Sequence, residues 1–201
     1  VTRFEGEDFE ITAPYASGAT LRGERSGGGA SEATWTGSGT VSLDRLVPGA
    51  FVLVTPTDAV QDSLPTVLRL PDSVDVEPVE LSLVRATVLD GIFALPTVPL
   101  EPVSGRAQVV FQIGDAETHV PLAGATVTAA GSEVVLYADG GTWSDAVTET
   151  DPTGLVLIVN APAAVWPGRL STLTVSGAAL GSVPYRAVAD AVSVVRAELL
   201  R

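Results

Sequence analysis

The sequence predicts an all-β protein of two tandem antiparallel β-sandwich domains, residues 1–98 and 99–201. Three observations predict it. Hydrophobic residues make up 46% of the chain and charged residues 17%, enough apolar material for a core and too much for disorder. The apolar residues are mostly Val, Ala and Leu, mixed with Thr, 20 Gly and 14 Pro, which favours short strands cut by turns over long helices. The third observation is that the chain resembles itself.

Gly18-Ala19-Thr20-Leu21 matches Gly124-Ala125-Thr126-Val127. Pro48-Gly49-Ala50-Phe51-Val52-Leu53-Val54 matches Thr153-Gly154-Leu155-Val156-Leu157-Ile158-Val159. Leu64-Pro65-Thr66-Val67 matches Leu170-Ser171-Thr172-Leu173, and Leu81-Ser82-Leu83-Val84-Arg85-Ala86 matches Val192-Ser193-Val194-Val195-Arg196-Ala197. Near the start, Phe9-Glu10-Ile11 matches Phe111-Gln112-Ile113. Five matches in the same order, with spacing changes that loops tolerate, predict two copies of one domain. The boundary is expected in Pro96-Thr97-Val98-Pro99-Leu100-Glu101-Pro102, whose three prolines suit a short, stiff linker.

Within each copy, Phe9, Ile11 and Ala13 alternate with polar neighbours, as do Ala107, Val109, Phe111 and Ile113, the period of a strand with one buried face. Residues 50–55 and 155–159 are continuous apolar runs, the mark of strands buried on both faces. Glycines in residues 26–29 and 140–141 mark loops. Tyr185, Val188, Val192, Val195 and Leu199 fall on a helical face, but the matching segment of the first copy alternates strictly at Val79, Leu81 and Leu83 after Pro78. Both segments, 79–88 and 185–199, are therefore read as strands.

The charge restricts the partners. With 24 acidic and 11 basic residues the net charge is −13, which repels nucleic acid and anionic membranes. There is no Cys, so disulfides, thiolate metal sites and Cys nucleophiles are excluded. No apolar run reaches the ~20 residues of a membrane span. A chain that opens at Val1 and contains no Met reads as a processed or excised piece of a longer product.

The second copy carries Pro121-Leu122-Ala123-Gly124-Ala125-Thr126-Val127-Thr128-Ala129, followed by Thr148-Glu149-Thr150-Asp151-Pro152-Thr153-Gly154-Leu155-Val156-Leu157. This resembles the pattern of carboxypeptidase regulatory-like domains, which have a prealbumin-like, Ig-like sandwich. The first copy shows a companion form, Leu43-Asp44-Arg45-Leu46-Val47-Pro48-Gly49-Ala50-Phe51-Val52-Leu53, but its Gly18 region lacks the Pro-Leu lead-in. Asp151 to Gly154 should make a tight turn with Gly at positive φ, and Gly124 should allow close packing. The resemblance implies rods, spacers or accessory modules in exported bacterial proteins. Related pilin and adhesin modules are often locked by Lys–Asn isopeptide bonds. All 11 basic residues here are Arg, so no lysine amine is available for one.

Residues that could carry catalysis are scarce. His119 is the sole His, so any Ser–His–Asp triad would need it; it lies in a strand-connecting stretch, and no Ser sits in a Gly-x-Ser-x-Gly elbow. Its neighbours lack metal-ligand spacing. Paired carboxylates suit glycosidases, but such clefts are lined with aromatics, only 5% of this chain. The acidic clusters Glu5-Gly6-Glu7-Asp8 and residues 72–80 read as solvated faces. Asp139, Asp145 and Asp151 could converge on calcium, although no Asp-x-Asp-x-Asp-Gly loop is present. Trp35, Trp143 and Trp166 invite comparison with a sugar-binding platform, but Trp35 and Trp143 occupy near-equivalent places in the two copies, and a repeated position favours core or edge packing.

No catalytic, cofactor-binding or metal residue is therefore assigned, and no enzyme activity is expected. The leading expectation is an extracellular or cell-surface structural protein, a self-associating subunit of a bacterial fibre or array. Its partner would be a second copy joined through strand or edge contacts, with residues 1–11 as a candidate donated strand. The alternative is an accessory carbohydrate- or protein-binding module of a larger exported protein.

Overall fold

A computed structural model describes residues 18–38, 40–47, 49–57, 62–70, 82–95 and 99–200, together with the backbone of 2–4 and 11–14. The chain divides into two compact units, Val1–Val88 and Leu89–Arg201. Among the described residues it is built of strands, with one short helix. Of the expected linker, residues 96–98 lie outside the described set, as do both acidic clusters, 5–8 and 72–80.

The N-terminal unit contains β1 (Thr2–Phe4), β2 (Ile11–Pro14), β3 (Ala19–Glu24), β4 (Ala30–Trp35), β5 (Phe51–Pro56), β6 (Thr66–Arg69) and β7 (Ser82–Val84). β3 and β4 form a hairpin that brings Glu24 opposite Ala30, and the glycine-rich residues 27–29 turn it at positive φ. β5 pairs antiparallel with both β3 and β6. β1 runs antiparallel to β2 and parallel to β7. Ala19, Leu21, Trp35, Val52 and Val54 meet Leu83 of the other sheet in one core, flanked by Val41, Leu43, Leu46, Leu68 and Leu70. β5 is less enclosed than its apolar run suggests: Leu53 and Thr55 are half-buried.

The segment 79–88 is corrected by the structure. Its strand is only β7, and from Ala86 the chain is helical, forming α1 (Ala86–Phe93). Val88, Leu89, Ile92 and Phe93 are buried while Thr87 and Asp90 are exposed, the spacing of a helix with one apolar face. Asp62 supplies the N-terminal cap from a distance: its carboxylate accepts the Thr87 N–H at 3.3 Å and the Thr87 hydroxyl at 2.5 Å. The division between the two units falls inside this helix.

The C-terminal unit contains β8 (Arg106–Asp115), β9 (Ala125–Thr128), β10 (Val134–Asp139), β11 (Thr142–Ser144), β12 (Leu155–Pro162), β13 (Arg169–Gly177), β14 (Gly181–Ala187) and β15 (Val192–Leu199). Strands β11, β10, β12, β8 and β15 lie side by side in that order, and β14, β13 and β9 form a second sheet. The expected strand 185–199 is thus two strands, separated by a turn with Asp190 at φ 59°. Helical spacing of its apolar residues is what remains when a turn interrupts two alternating runs.

Between these sheets Ala107, Val109, Phe111 and Ile113 face Val127, Leu173, Val175, Val183 and Tyr185. Phe111 and Tyr185 meet edge to face, centroids 5.5 Å apart, a geometry that adds about 1 kcal/mol to the burial of the two rings. β12 is buried from Leu155 through Ala161, as its unbroken apolar run requires.

The sheets are mixed, not purely antiparallel. In each unit the first and last strands pair in parallel, β1 with β7 and β8 with β15. They enter the sheet in the same direction from opposite ends of the chain segment, so no hairpin constrains them to oppose. Other pairings differ between the units. β3 lies between β4 and β5, whereas its sequence counterpart β9 pairs with β13.

Candidate functional site

The chemistry-bearing side chains are engaged in turns and caps. His119 lies at φ 58° in the connection after β8, its side chain 65% exposed and its Nδ1 2.9 Å from Glu198 Oε2. Arg196 donates to the His119 carbonyl at 3.1 Å. Asp115, buried at the end of β8, accepts from the backbone N–H groups of Glu117 and Thr118 at 2.9 and 2.8 Å. These contacts shape one turn around Asp115 and bring no nucleophile to the imidazole.

Asp151 does similar work after β11. One carboxylate oxygen accepts the Thr153 N–H at 2.9 Å and the Thr153 hydroxyl at 2.5 Å, and the other accepts the Gly140 N–H at 3.2 Å. Gly154 closes the turn at φ 66°, donating to Asp151 O at 3.0 Å. A Cβ there would stand 2.2 Å from the Ile113 carbonyl oxygen, so both conformation and space demand glycine. At Gly124 the requirement is conformational, φ 79°; the close approach comes from Gly177, whose Cβ would lie 2.4 Å from the Gly124 carbonyl oxygen. Among the described residues Asp139, Asp145 and Asp151 do not form a cluster that could hold a metal.

Trp35 and Trp143 are 7% and 3% exposed. Trp35 packs in the N-terminal core, whereas Trp143 lies on the short strand β11. Trp166 is half-buried in the loop before β13 and precedes a cis peptide bond to Pro167.

The most concentrated buried polar arrangement was not anticipated from the sequence. β12 bulges between Ile158 and Ala161, so that Val159 and Asn160 together oppose Gln108 of β8. Asn160, at φ 54° and 3% exposed, sits at the extra position. Its N–H donates to Gln108 Oε1, and its Oδ1 accepts from Gln108 Nε2 and the Val103 N–H, all at 2.9 Å. Its Nδ2 donates to the Glu101 carbonyl at 2.9 Å and to Glu133 Oε2 at 2.5 Å. The carboxamide therefore uses both donors and both acceptor positions. The pair replaces the ladder bond that the bulge removes and ties residues 101–103 to the sheet. The only sequence signal was an Asn ending an apolar run and a Gln inside an alternating strand.

The outer face of the β9–β13–β14 sheet is rich in hydroxyls. Thr174 stands opposite Thr128 on one side and Ser182 on the other, with Thr172 and Ser176 on the same strand face, all exposed. Among the described residues, no helix is long and apolar enough to cross a membrane.

No known protein family matches the sequence, and no curated protein is a recognisable relative. Among solved structures, the chain is similar to a streptococcal ancillary pilin, with 13% identity and a TM-score of 0.27 over 96% of this chain and 60% of that one. It is also similar to a shaft pilin of Lactobacillus rhamnosus GG, with 15% identity and a TM-score of 0.24 over 92% of this chain and 95% of that one. The chain thus spans 60% of the length of the ancillary pilin and nearly all of the shaft pilin's.

Proposed function

We propose that this chain is a non-catalytic structural subunit of an extracellular or cell-surface fibre or array. On this reading it is built as two tandem β-sandwich domains, residues 1–98 and 99–201, and associates with copies of itself through strand edges. The observation that supports it is where the polar chemistry goes: Asp115, Asp151 and Asn160 all spend their hydrogen bonds on turns, a bulge and a strap. A sheet with an end strand available fits the same reading. Among the described residues β4 ends its sheet and carries no proline, and an end strand is the kind of element that strand addition uses. The family resemblance of Pro121 to Ala129 and Thr148 to Leu157 agrees with an exported module.

Size-exclusion chromatography with negative-stain microscopy tests this. Concentration-dependent rods or filaments are expected; a monomer at every concentration would sink it. Deleting residues 1–11 tests strand donation, and polymerisation that survives the deletion removes that mode. The hydroxyl face of Thr128, Thr172, Thr174, Ser176 and Ser182 favours the second reading, an accessory carbohydrate-binding module, because uncharged hydroxyls match a polyol without repelling it. A monomer that binds members of a glycan array would select that reading.

A further inference from the structure

We infer that the outer edge of β9 is locked against strand addition by three side chains of its own unit, Thr150, Tyr137 and Ser132. This goes beyond the proposed assembly, because it names an edge that assembly cannot use and holds whether or not the chain polymerises.

Residues along a strand alternate in the side to which their N–H and C=O point. Among the described residues β9 pairs with β13 on one side only. On the other side the groups at Ala125 and Val127 and the Ala129 carbonyl would stand open, two residues apart. They do not. The Ala125 N–H donates to Thr150 Oγ1 at 3.0 Å, and the Thr150 N–H returns a bond to the Ala125 carbonyl at 2.9 Å. The Val127 N–H donates to the Tyr137 hydroxyl at 2.9 Å, and that hydroxyl donates to the Val127 carbonyl at 3.3 Å. Just beyond the strand, Ser132 Oγ donates to the Ala129 carbonyl at 2.9 Å.

The locks are themselves fixed. Thr150 is 3% exposed, and its hydroxyl donates to the Leu122 carbonyl at 2.6 Å while its own carbonyl accepts the Gly124 N–H at 2.8 Å. The Tyr137 ring is packed in the core between the sheets. At the opposite edge of the same sheet, β14 is blunted by different means. Pro184 has no N–H, and the Arg186 carbonyl accepts from the Ser193 hydroxyl. An edge whose backbone groups at Ala125 and Val127 are already bonded on both donor and acceptor, with the Ala129 carbonyl bonded beyond them, leaves a neighbouring strand no run of groups to pair with.

Amide hydrogen exchange on the whole chain is the direct test. In the wild type the Ala125 and Val127 amides should exchange as slowly as those inside β8; exchange at the rate of an open edge overturns the lock without any variant. Tyr137→Phe keeps the buried ring and removes the hydroxyl. It should speed exchange at Val127 about tenfold and produce dimers in sedimentation at concentrations where the wild type shows none. Thr150→Val should do the same at Ala125. Adding Thr128→Lys to Tyr137→Phe should abolish the new dimers, since a charge on an edge strand opposes pairing. Unchanged protection and unchanged sedimentation in both single variants overturn the inference. Because the readout is variant against wild type, a wild-type chain that never polymerises defeats the proposed assembly and leaves the lock standing.

Discussion

Gln108 and Asn160 exchange two hydrogen bonds of 2.9 Å across the bulge between β8 and β12: the Asn160 backbone N–H donates to Gln108 Oε1, and Gln108 Nε2 donates to Asn160 Oδ1. Asn160→Ala removes the side-chain bonds and also places an alanine at φ 54°. The expected cost is about 3 kcal/mol, from buried groups left unpaired and from left-handed strain. Asn160→Gly loses the same bonds without the strain and should be about 1 kcal/mol less costly. Urea unfolding of the two variants, followed at the C-terminal unit, measures the difference.

Gln108→Lys places an amine where Gln108 Nε2 now bonds the Asn160 carbonyl oxygen, with Glu133 Oε2 2.5 Å from the Asn160 nitrogen. The uncharged amine nitrogen can attack the carboxamide carbon, Glu133 takes the proton that the amine gives up and delivers it to Nδ2, and the C–N bond to Nδ2 breaks to release ammonia. Intact-mass spectrometry should show the loss of one ammonia, and Glu133→Gln in the same background should abolish it. A Gln108→Lys chain that keeps its full mass would show that this carboxamide is held only to tie the strap to the sheet.

Gly154 and Gly140 both have positive φ, 66° and 61°, but a Cβ on Gly154 meets the Ile113 carbonyl oxygen at 2.2 Å while one on Gly140 meets nothing within 4 Å. Gly154→Ala is expected to cost about 3 kcal/mol or more, because the backbone of β8 must move at Ile113. Gly140→Ala should cost about 1 kcal/mol, the conformational part alone. Thermal unfolding separates them.

Burial pushes the phenols of both Tyr137 and Tyr185 above their ordinary value; smaller opposing effects come from the Val127 hydrogen bond at Tyr137, and from the Ser171 hydrogen bond and Arg169 at Tyr185. The folded state therefore holds these protons more tightly than the unfolded chain. Their contribution to stability is fully present below about pH 10 and is lost as pH rises through the raised values. With no Lys and no Cys in the chain, tyrosine side chains dominate titration in that range. Tyr185→Phe should flatten the fall in stability above pH 10, checked by denaturant midpoints against pH alongside phenolate absorbance. A fall as steep as in the wild type would refute the assignment.

Local patterns were legible where the physics is local. The alternation of Ala107, Val109, Phe111 and Ile113 named the face of β8 that lines the core, and Asp151 to Gly154 announced the turn that these residues form. The helix at Ala86–Phe93 is masked in the sequence by the alternation of Val79, Leu81 and Leu83 that runs up to it. The signal was present in Val88, Leu89, Ile92 and Phe93. The break at Asp190 was hidden because two alternating runs in succession imitate a helical face.

The amino-acid sequence by itself determined the strand-rich character of the chain, its tight turns and the lack of a lysine for a covalent cross-link, since each follows from residue type or from near neighbours along the backbone. Only the tertiary structure decided that Gln108 opposes Asn160, that Tyr137 and Thr150 close the edge of β9, and that β9 pairs with β13 while β3 pairs with β5. Those facts depend on register between strands far apart in sequence. A shift of one residue turns every side chain to the other face, and no local preference sets it.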